Sequence, residues 1–367
     1  MSFRILSKAQ AGLSLVELLV ALAISGTLMV GVVQIFSGSK QVDRLTMAMA
    51  RVQENGRFAI DILTKELQHI GYQGCFNPNK PIAATDIVAN DFPLYTNDTA
   101  AFTNNTVRGL DDFSASVSSV DLNNGVEFSA TPLPSTDALF VAHATVLSKN
   151  AGDNTTLQSD MDGVDDQLVV GTNPSGYAQG DMLLITDCET ASIFRVSGLT
   201  TTVPIKFSHS QGSLTRQNSS ASFSVAFTAG SNLHRLVYNT YYIQNNAEGI
   251  PSLYRNNYYT GSSALIEGVE NLQVLYGHYE SQGSASLSDD EIRWLEADAV
   301  DSDEWMDIVG VRLAILVRDK ENVLPTNGPA SFDMLGAEVA PAVADKRLRR
   351  VFATTVKIRN RRGEINF

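Results

Sequence analysis

From Leu13 to Phe36 the chain runs 24 residues with a single charge, Glu17, and then changes character. A helix needs roughly 20 apolar residues to cross a hydrocarbon core, so this run is long enough to span one. Beyond it, Leu45, Met49, Val52, Gly56, Ala59, Leu63, Leu67 and Ile70 recur at spacings of three and four, the mark of a helix with one apolar stripe. The two patterns together predict one helix over 13–70, about 87 Å long at ~1.5 Å per residue. Gly26, Gly31 and Gly38 weaken it locally by roughly 1 kcal/mol each relative to alanine. Gly71 and Gly74 supply its stop. A long helix must cover its apolar face, so the stripe over 45–70 is expected against the chain's own globular part. The run 13–36 has no such cover and is left to lipid or to other helices.

After the helix the period changes. Residues 76–135 are rich in Asn, Asp, Thr and Ser and read as a loop-rich insertion with short strands. Strands are predicted at 138–147, 167–171, 182–186, 192–196, 222–227 and 235–244, flanked by Gly, Pro, Asn and Asp turn signals. Three more follow at 272–279, 308–317 and 349–359. Val311, Leu313, Ile315 and Val317 alternate with Arg312, Ala314 and Leu316, so one face is expected to be buried. The predicted fold class is α+β: a long N-terminal α-helix, its first half membrane-spanning, packed on a mainly antiparallel β-sheet globular domain.

Charge orients this plan. Met1 to Gly12 carry Arg4 and Lys8 and no acid, which holds the N-terminal flank in the cytoplasm. An ordinary secretory signal is cut after its apolar stretch. Here Ser37-Gly38-Ser39 is only a weak candidate, whereas Gly12-Leu13 lies before the stretch, so a cut there keeps the anchor. Glu17 then stands out, because a carboxylate inside a span costs about 2.5–3.5 kcal/mol even on insertion scales. One reading is a charge snorkelling to the interface. The other is an acid awaiting a cation, and cleavage would make one, the α-amino group of Leu13. Such a pair repays desolvation only with good geometry, so it would fix axial register between packed helices. The two cysteines, Cys75 and Cys188, both fall after the span. A disulfide between them suits an oxidising periplasm and would tie the helix terminus to the sheet domain; two buried free thiols are the other reading.

Gly12, Leu13 and Glu17 match the signal of type IV prepilins, and the chain resembles that superfamily. Gly268-Val269-Glu270-Asn271-Leu272-Gln273-Val274-Leu275-Tyr276-Gly277, the strand 309–318 and the strand 348–360 resemble minor pilins of the PilW type. Residues 55–59 and 67–72 fit as well. The resemblance implies four regions: a leader, 1–12; a transmembrane and assembly helix, 13–36; its amphipathic continuation, 37–74; and a periplasmic β-rich domain, 75–367. It implies a prepilin peptidase that cuts between Gly12 and Leu13 and N-methylates Leu13, where most relatives carry phenylalanine. It implies a low-abundance subunit at or near a pilus tip. The partners it implies are other minor pilins, the major pilin, an inner-membrane assembly platform and, in many systems, a large tip adhesin. A type II secretion pseudopilus tip and a module that itself binds surfaces or DNA are the competing readings.

The remaining chemistry is sparse. The chain has no Gly-x-Ser-x-Gly, His-Glu-x-x-His or P-loop, and its five histidines, His69, His143, His209, His234 and His278, are scattered. No catalytic, cofactor or metal residue is predicted. Asp160, Asp162, Asp165 and Asp166 lack EF-hand spacing. A net charge of −13 argues against general nucleic-acid binding. The acidic stretch 289–307 around Trp294 and Trp305 reads as a solvated loop, or as an interface for a basic partner or a cation. The basic tail from Lys346 to Arg362 reads as solvent-facing charge on an edge strand, or as a docking patch.

Overall fold

Helix α1 spans Leu15–His69, 55 residues and about 82 Å at ~1.5 Å per residue. It stops where Gly71 adopts φ +71°, a left-handed conformation that a side chain would strain. The computed structural model describes residues 14–77, 80, 82–89, 106–112, 132–145, 155–212, 217–279, 292–301 and 304–361.

Strands follow in the order β1 (Val107–Leu110), β2 (Ala138–Thr145), β3 (Leu168–Gly171), β4 (Met182–Thr186), β5 (Ala191–Arg195), β6 (Gly198–Leu199), β7 (Ile205–Ser208) and β8 (Asn232–Asn245). Next come β9 (Pro251–Asn257), β10 (Gly261–Glu267), β11 (Val269–Tyr279), β12 (Ile292–Leu295), β13 (Ile308–Asn322), β14 (Phe332–Met334), β15 (Ala337–Val339) and β16 (Arg347–Lys357). Among the described residues, β1, β2, β8, β4 and β5 pair in that order, with β9 and β10 branching from β8. A second sheet runs β12–β11–β13–β16, and every pairing between named strands in both sheets is antiparallel. Strands β3, β7 and β6 form a small third sheet, and β14–β15 a hairpin.

The main core lies between α1 and the two sheets. Val52, Ala59, Leu63 and Leu67 of α1 meet Val311, Leu313, Ile315 and Val317 of β13, Leu272 and Val274 of β11, and Leu139 and Val141 of β2. The alternation along β13 is thus the helix-facing side. Its other face is covered too: Ala314 and Leu316 pack under Met334 and the β14–β15 hairpin. A separate cluster around Phe194, Phe207, Phe223 and Phe227 fills the lobe built on β3, β6 and β7.

Several expectations need correction. Residues 222–227 form no strand; Phe223 and Phe227 instead plug the lobe core, each 4% exposed or less. Met49 is 46% exposed, and Ala48 takes its place against the domain. Trp305 is buried among core residues rather than solvated. Strands β6, β7, β9, β10, β12, β14 and β15 were not predicted.

Candidate functional site

The candidate site is α1 itself, which is held at one end and bare at the other. Gly12 and Leu13 lie outside the described residues, as do Arg4 and Lys8. The description begins at Ser14, which caps the helix: its Oγ accepts the Val16 N–H at 3.2 Å, and its own N–H donates to Glu17 Oε2 at 3.0 Å. This is a reciprocal capping box, and the negative charge of Glu17 also suits the positive end of the helix dipole. Sequence reasoning missed Ser14, although Ser14-Leu15-Val16-Glu17 carries the Ser-x-x-Glu signature.

Residues 14 to 44 are all exposed apart from partly covered Gly31. The most apolar 18-residue window has mean hydropathy 2.3 and is 0% buried. The helix is therefore long and apolar enough to cross a membrane, and nothing among the described residues covers that stretch. Two of its hydroxyls are satisfied internally: Ser25 donates to the Ala21 carbonyl, and Thr27 to that of Ile24 at 2.9 Å. Those two donors need no water, which suits an apolar surround.

From Ala48 onward the helix is fixed to the domain. Arg51 donates two hydrogen bonds to Asp319, at 2.8 and 3.1 Å, and Asn55 donates to the Glu267 carbonyl at 3.0 Å. Gly56 lets Phe352 approach so closely that a Cβ would sit 2.3 Å from its ring. Glu66 accepts from Asn239 Nδ2 at 3.0 Å and lies 3.6 Å from His143 Nε2. Asn360 donates to the Ile70 carbonyl at 3.0 Å, so the C-terminal strand's exit caps the helix end. Cys75 and Cys188 are disulfide-bonded across 113 residues and tie the helix exit to the β4–β5 turn.

The basic tail is mostly spoken for. Arg349 binds Glu270 at 2.6 Å and Asp345 at 2.7 Å; Arg318 also reaches Glu270, and Arg347 pairs with Asp345. Arg361 is buried and donates to the carbonyls of Trp305 and Ile308 and to Thr106 Oγ1. Burial pulls its guanidinium down to about 9. Lys346, Arg350 and Arg359 stay exposed, and Arg362 lies outside the described residues. In the acidic stretch Asp289, Asp290, Glu291 and Asp303 also lie outside them. Oxygens of Glu296, Asp298 and Asp111 gather within 4.8 Å. In the loop 160–166, Asp160 Oδ1 accepts the Ala229 N–H at 2.7 Å, and Asp166 Oδ2 the Gly163 N–H at 2.9 Å. Those two carboxylates thus cap backbone donors.

Among the histidines, His209 and His234 are buried, whereas His69 is exposed. His209 stacks on Phe223 with centroids 4.1 Å apart, and His69 Nδ1 lies 2.7 Å from the Lys65 carbonyl. His234 is 4% exposed, and burial pushes its imidazole down to about 4.

Residues 240–360 match the family model of type IV pilus-assembly protein W, PilW, and residues 7–33 match the prokaryotic N-terminal methylation motif. No curated protein and no solved structure matches the chain. Together the two matches support a type IV minor pilin of the PilW type, a structural part of pilus assembly.

Proposed function

We propose that this chain is a minor pilin that helps to initiate a type IV pilus and remains at or near its tip. The observation that carries this reading is a bare apolar helix of some thirty residues locked end-on to a β domain. Such a helix has to be covered by lipid before assembly and by other pilin helices after it. The domain locked to it carries the PilW segment in β8 to β16. A prepilin peptidase would cut between Gly12 and Leu13 and methylate Leu13, which leaves the Ser14–Glu17 cap intact. Glu17 would then meet the α-amino group of its own or a neighbouring subunit's first residue and set the register. The globular domain would lie in the periplasm. Other minor pilins, the major pilin, the inner-membrane platform and a tip adhesin would be its partners, and motility and adhesion would follow from the pili themselves.

The test is surface piliation in a deletion strain, with and without the retraction motor, beside a secretion assay. The expected result is loss of pili that partly returns when retraction is removed. Normal pili with failed secretion would move the subunit to a type II secretion pseudopilus. Normal results in both would overturn the assembly role and leave an accessory binding module.

A further inference from the structure

A groove of about 750 Å³ opens where the two large sheets meet, within the ~300–1,000 Å³ typical of ligand sites. Its walls include Pro251 of β9, Glu270 and Gln273 of β11, and all of β15. Strand β15 brings a free edge to it. The turn Leu335–Gly336 has φ +60° and +98°, the two positive values of a type I′ hairpin. It closes on the Met334–Ala337 pair, so the next pair, Asp333–Glu338, is of the non-hydrogen-bonded kind. The N–H and C=O of Glu338 therefore point away from β14, and among the described residues no backbone group meets them. The hairpin is held in place, because Phe332, Met334 and Val339 pack on Ala314, Leu316 and Val351. The edge is thus preformed.

The walls also carry charge of both signs. Arg318 lines the groove. Glu270 gives its short contacts to Arg349, at 2.6 and 3.2 Å, and meets Arg318 only at 3.4 Å. Asp345 is taken by Arg347 and Arg349. Three guanidinium groups thus share two carboxylates, and Arg318 Nε has no acceptor among the described residues. Asp111 and Glu296 line the groove as well. Among the described residues no ion pair joins either of them to a base. The Arg318 N–H donates to the Gly268 carbonyl, whereas Glu296 follows Leu295, the partner of Tyr276. The two poles therefore stand several residues apart along β11.

We propose that the groove takes a short extended segment of a partner protein, which pairs with Glu338 on the edge of β15, sets a carboxylate against Arg318 and sets a lysine or arginine against Asp111 and Glu296. An added strand supplies the backbone donor and acceptor that Glu338 lacks, which a free anion does not. A uniformly acidic segment would be repelled by Asp111 and Glu296, and a uniformly basic one by Arg318, so the walls select a segment carrying both signs. The site uses no residue of α1, so its test stands apart from that of the assembly role.

The test titrates the full chain in detergent micelles with a blocked five-residue peptide of lysine, valine, threonine, valine and glutamate, and with the same peptide reversed. The expected result is saturable binding of one order with a Kd below about 1 mM, and at saturation exchange of the Glu338 amide slowed by about tenfold or more. Replacing the peptide's glutamate by glutamine should weaken binding to the wild type about tenfold and to Arg318→Gln hardly at all. Glu338→Pro removes the outward N–H without removing a β14–β15 bond and should abolish binding, while Glu338→Gln should keep it. The peptide series on the wild type decides the matter even where Glu338→Pro fails to fold. Absence of saturable binding by either order up to about 1 mM, full binding by Glu338→Pro, or sodium acetate binding as tightly as the peptide would overturn the proposal.

Discussion

The two halves of α1 share one backbone and have opposite surroundings. Between 48 and 67 a residue in each turn is buried: Ala48, Val52, Gly56, Ala59, Leu63 and Leu67. Between 15 and 44 none is, although the residues there are the more apolar. Burial in this molecule thus follows the arrangement of apolar positions and the presence of something to pack on, not hydrophobicity as such. The distal half has one apolar stripe and a sheet to receive it. The proximal half is apolar all round, which suits a helix surrounded on every side by lipid or by neighbouring helices.

The largest effect that could break this comparison comes from matched truncations. Leu63→Ala, at a site 0% exposed, should cost about 2–5 kcal/mol of domain stability in denaturant unfolding of the full chain in detergent. Leu22→Ala, at a site 63% exposed, should leave that unfolding unchanged within about 0.5 kcal/mol. Equal losses would mean that the proximal half packs on the domain in solution.

Much of this division was legible in the sequence, because a change of period from all-apolar to every third or fourth position is a long-range signal. The helix, the α+β class and the strands along β4, β8, β11, β13 and β16 followed from it. What was not legible depended on partners distant in the chain. Met49 and Ala48 are adjacent, and only the position of the sheet decides which of them is buried. The alternation of Ser222, Phe223 and Ser224 imitates a strand, but Phe223 and Phe227 are drawn into an aromatic cluster with Phe194. Strands β9 and β10 are polar and are recruited by β8 rather than by their own composition. Charge misled most in the tail: Arg349 and Arg361 look solvent-facing in the sequence, yet they are buried because Glu270, Asp345 and backbone carbonyls meet them. The capping box at Ser14 was within reach, since its signature is local.

An intermediate effect sharpens the contrast between the helix and the domain it is locked to. His234 lies on β8, 4% exposed, with its imidazole held down to about 4 by burial. The unfolded chain takes up a proton near about 6.5 and the folded one only near about 4. This contribution is fully present above about 6.5 and is lost as pH falls toward about 4, up to roughly 3 kcal/mol. The expected result is a stability curve for the full chain whose acid limb flattens in His234→Gln. An acid limb unchanged in that variant would place the acid sensitivity elsewhere. Asp137, 3% exposed with its carboxyl pushed up to about 8 by burial, has the opposite sign, so the two buried groups bracket the stability maximum from either side.

The smallest expected effect lies at the first turn, where the two roles of Glu17 can be separated. Ser14→Ala removes the Oγ acceptor for the Val16 N–H but leaves the carboxylate, at a cost of about 1 kcal/mol confined to fraying of the helix start. Glu17→Val removes the acceptor for the Ser14 N–H and also the charge proposed to meet a neighbouring α-amino group. If charge sets register, Ser14→Ala subunits should still co-purify with sheared filaments while Glu17→Val subunits do not, even though both start frays alike in hydrogen exchange. Equal loss of incorporation in the two variants would make the cap, rather than the ion pair, the device that the bare half of the helix needs. Equal retention would remove any register role from Glu17 and leave it as the stabiliser of a helix end.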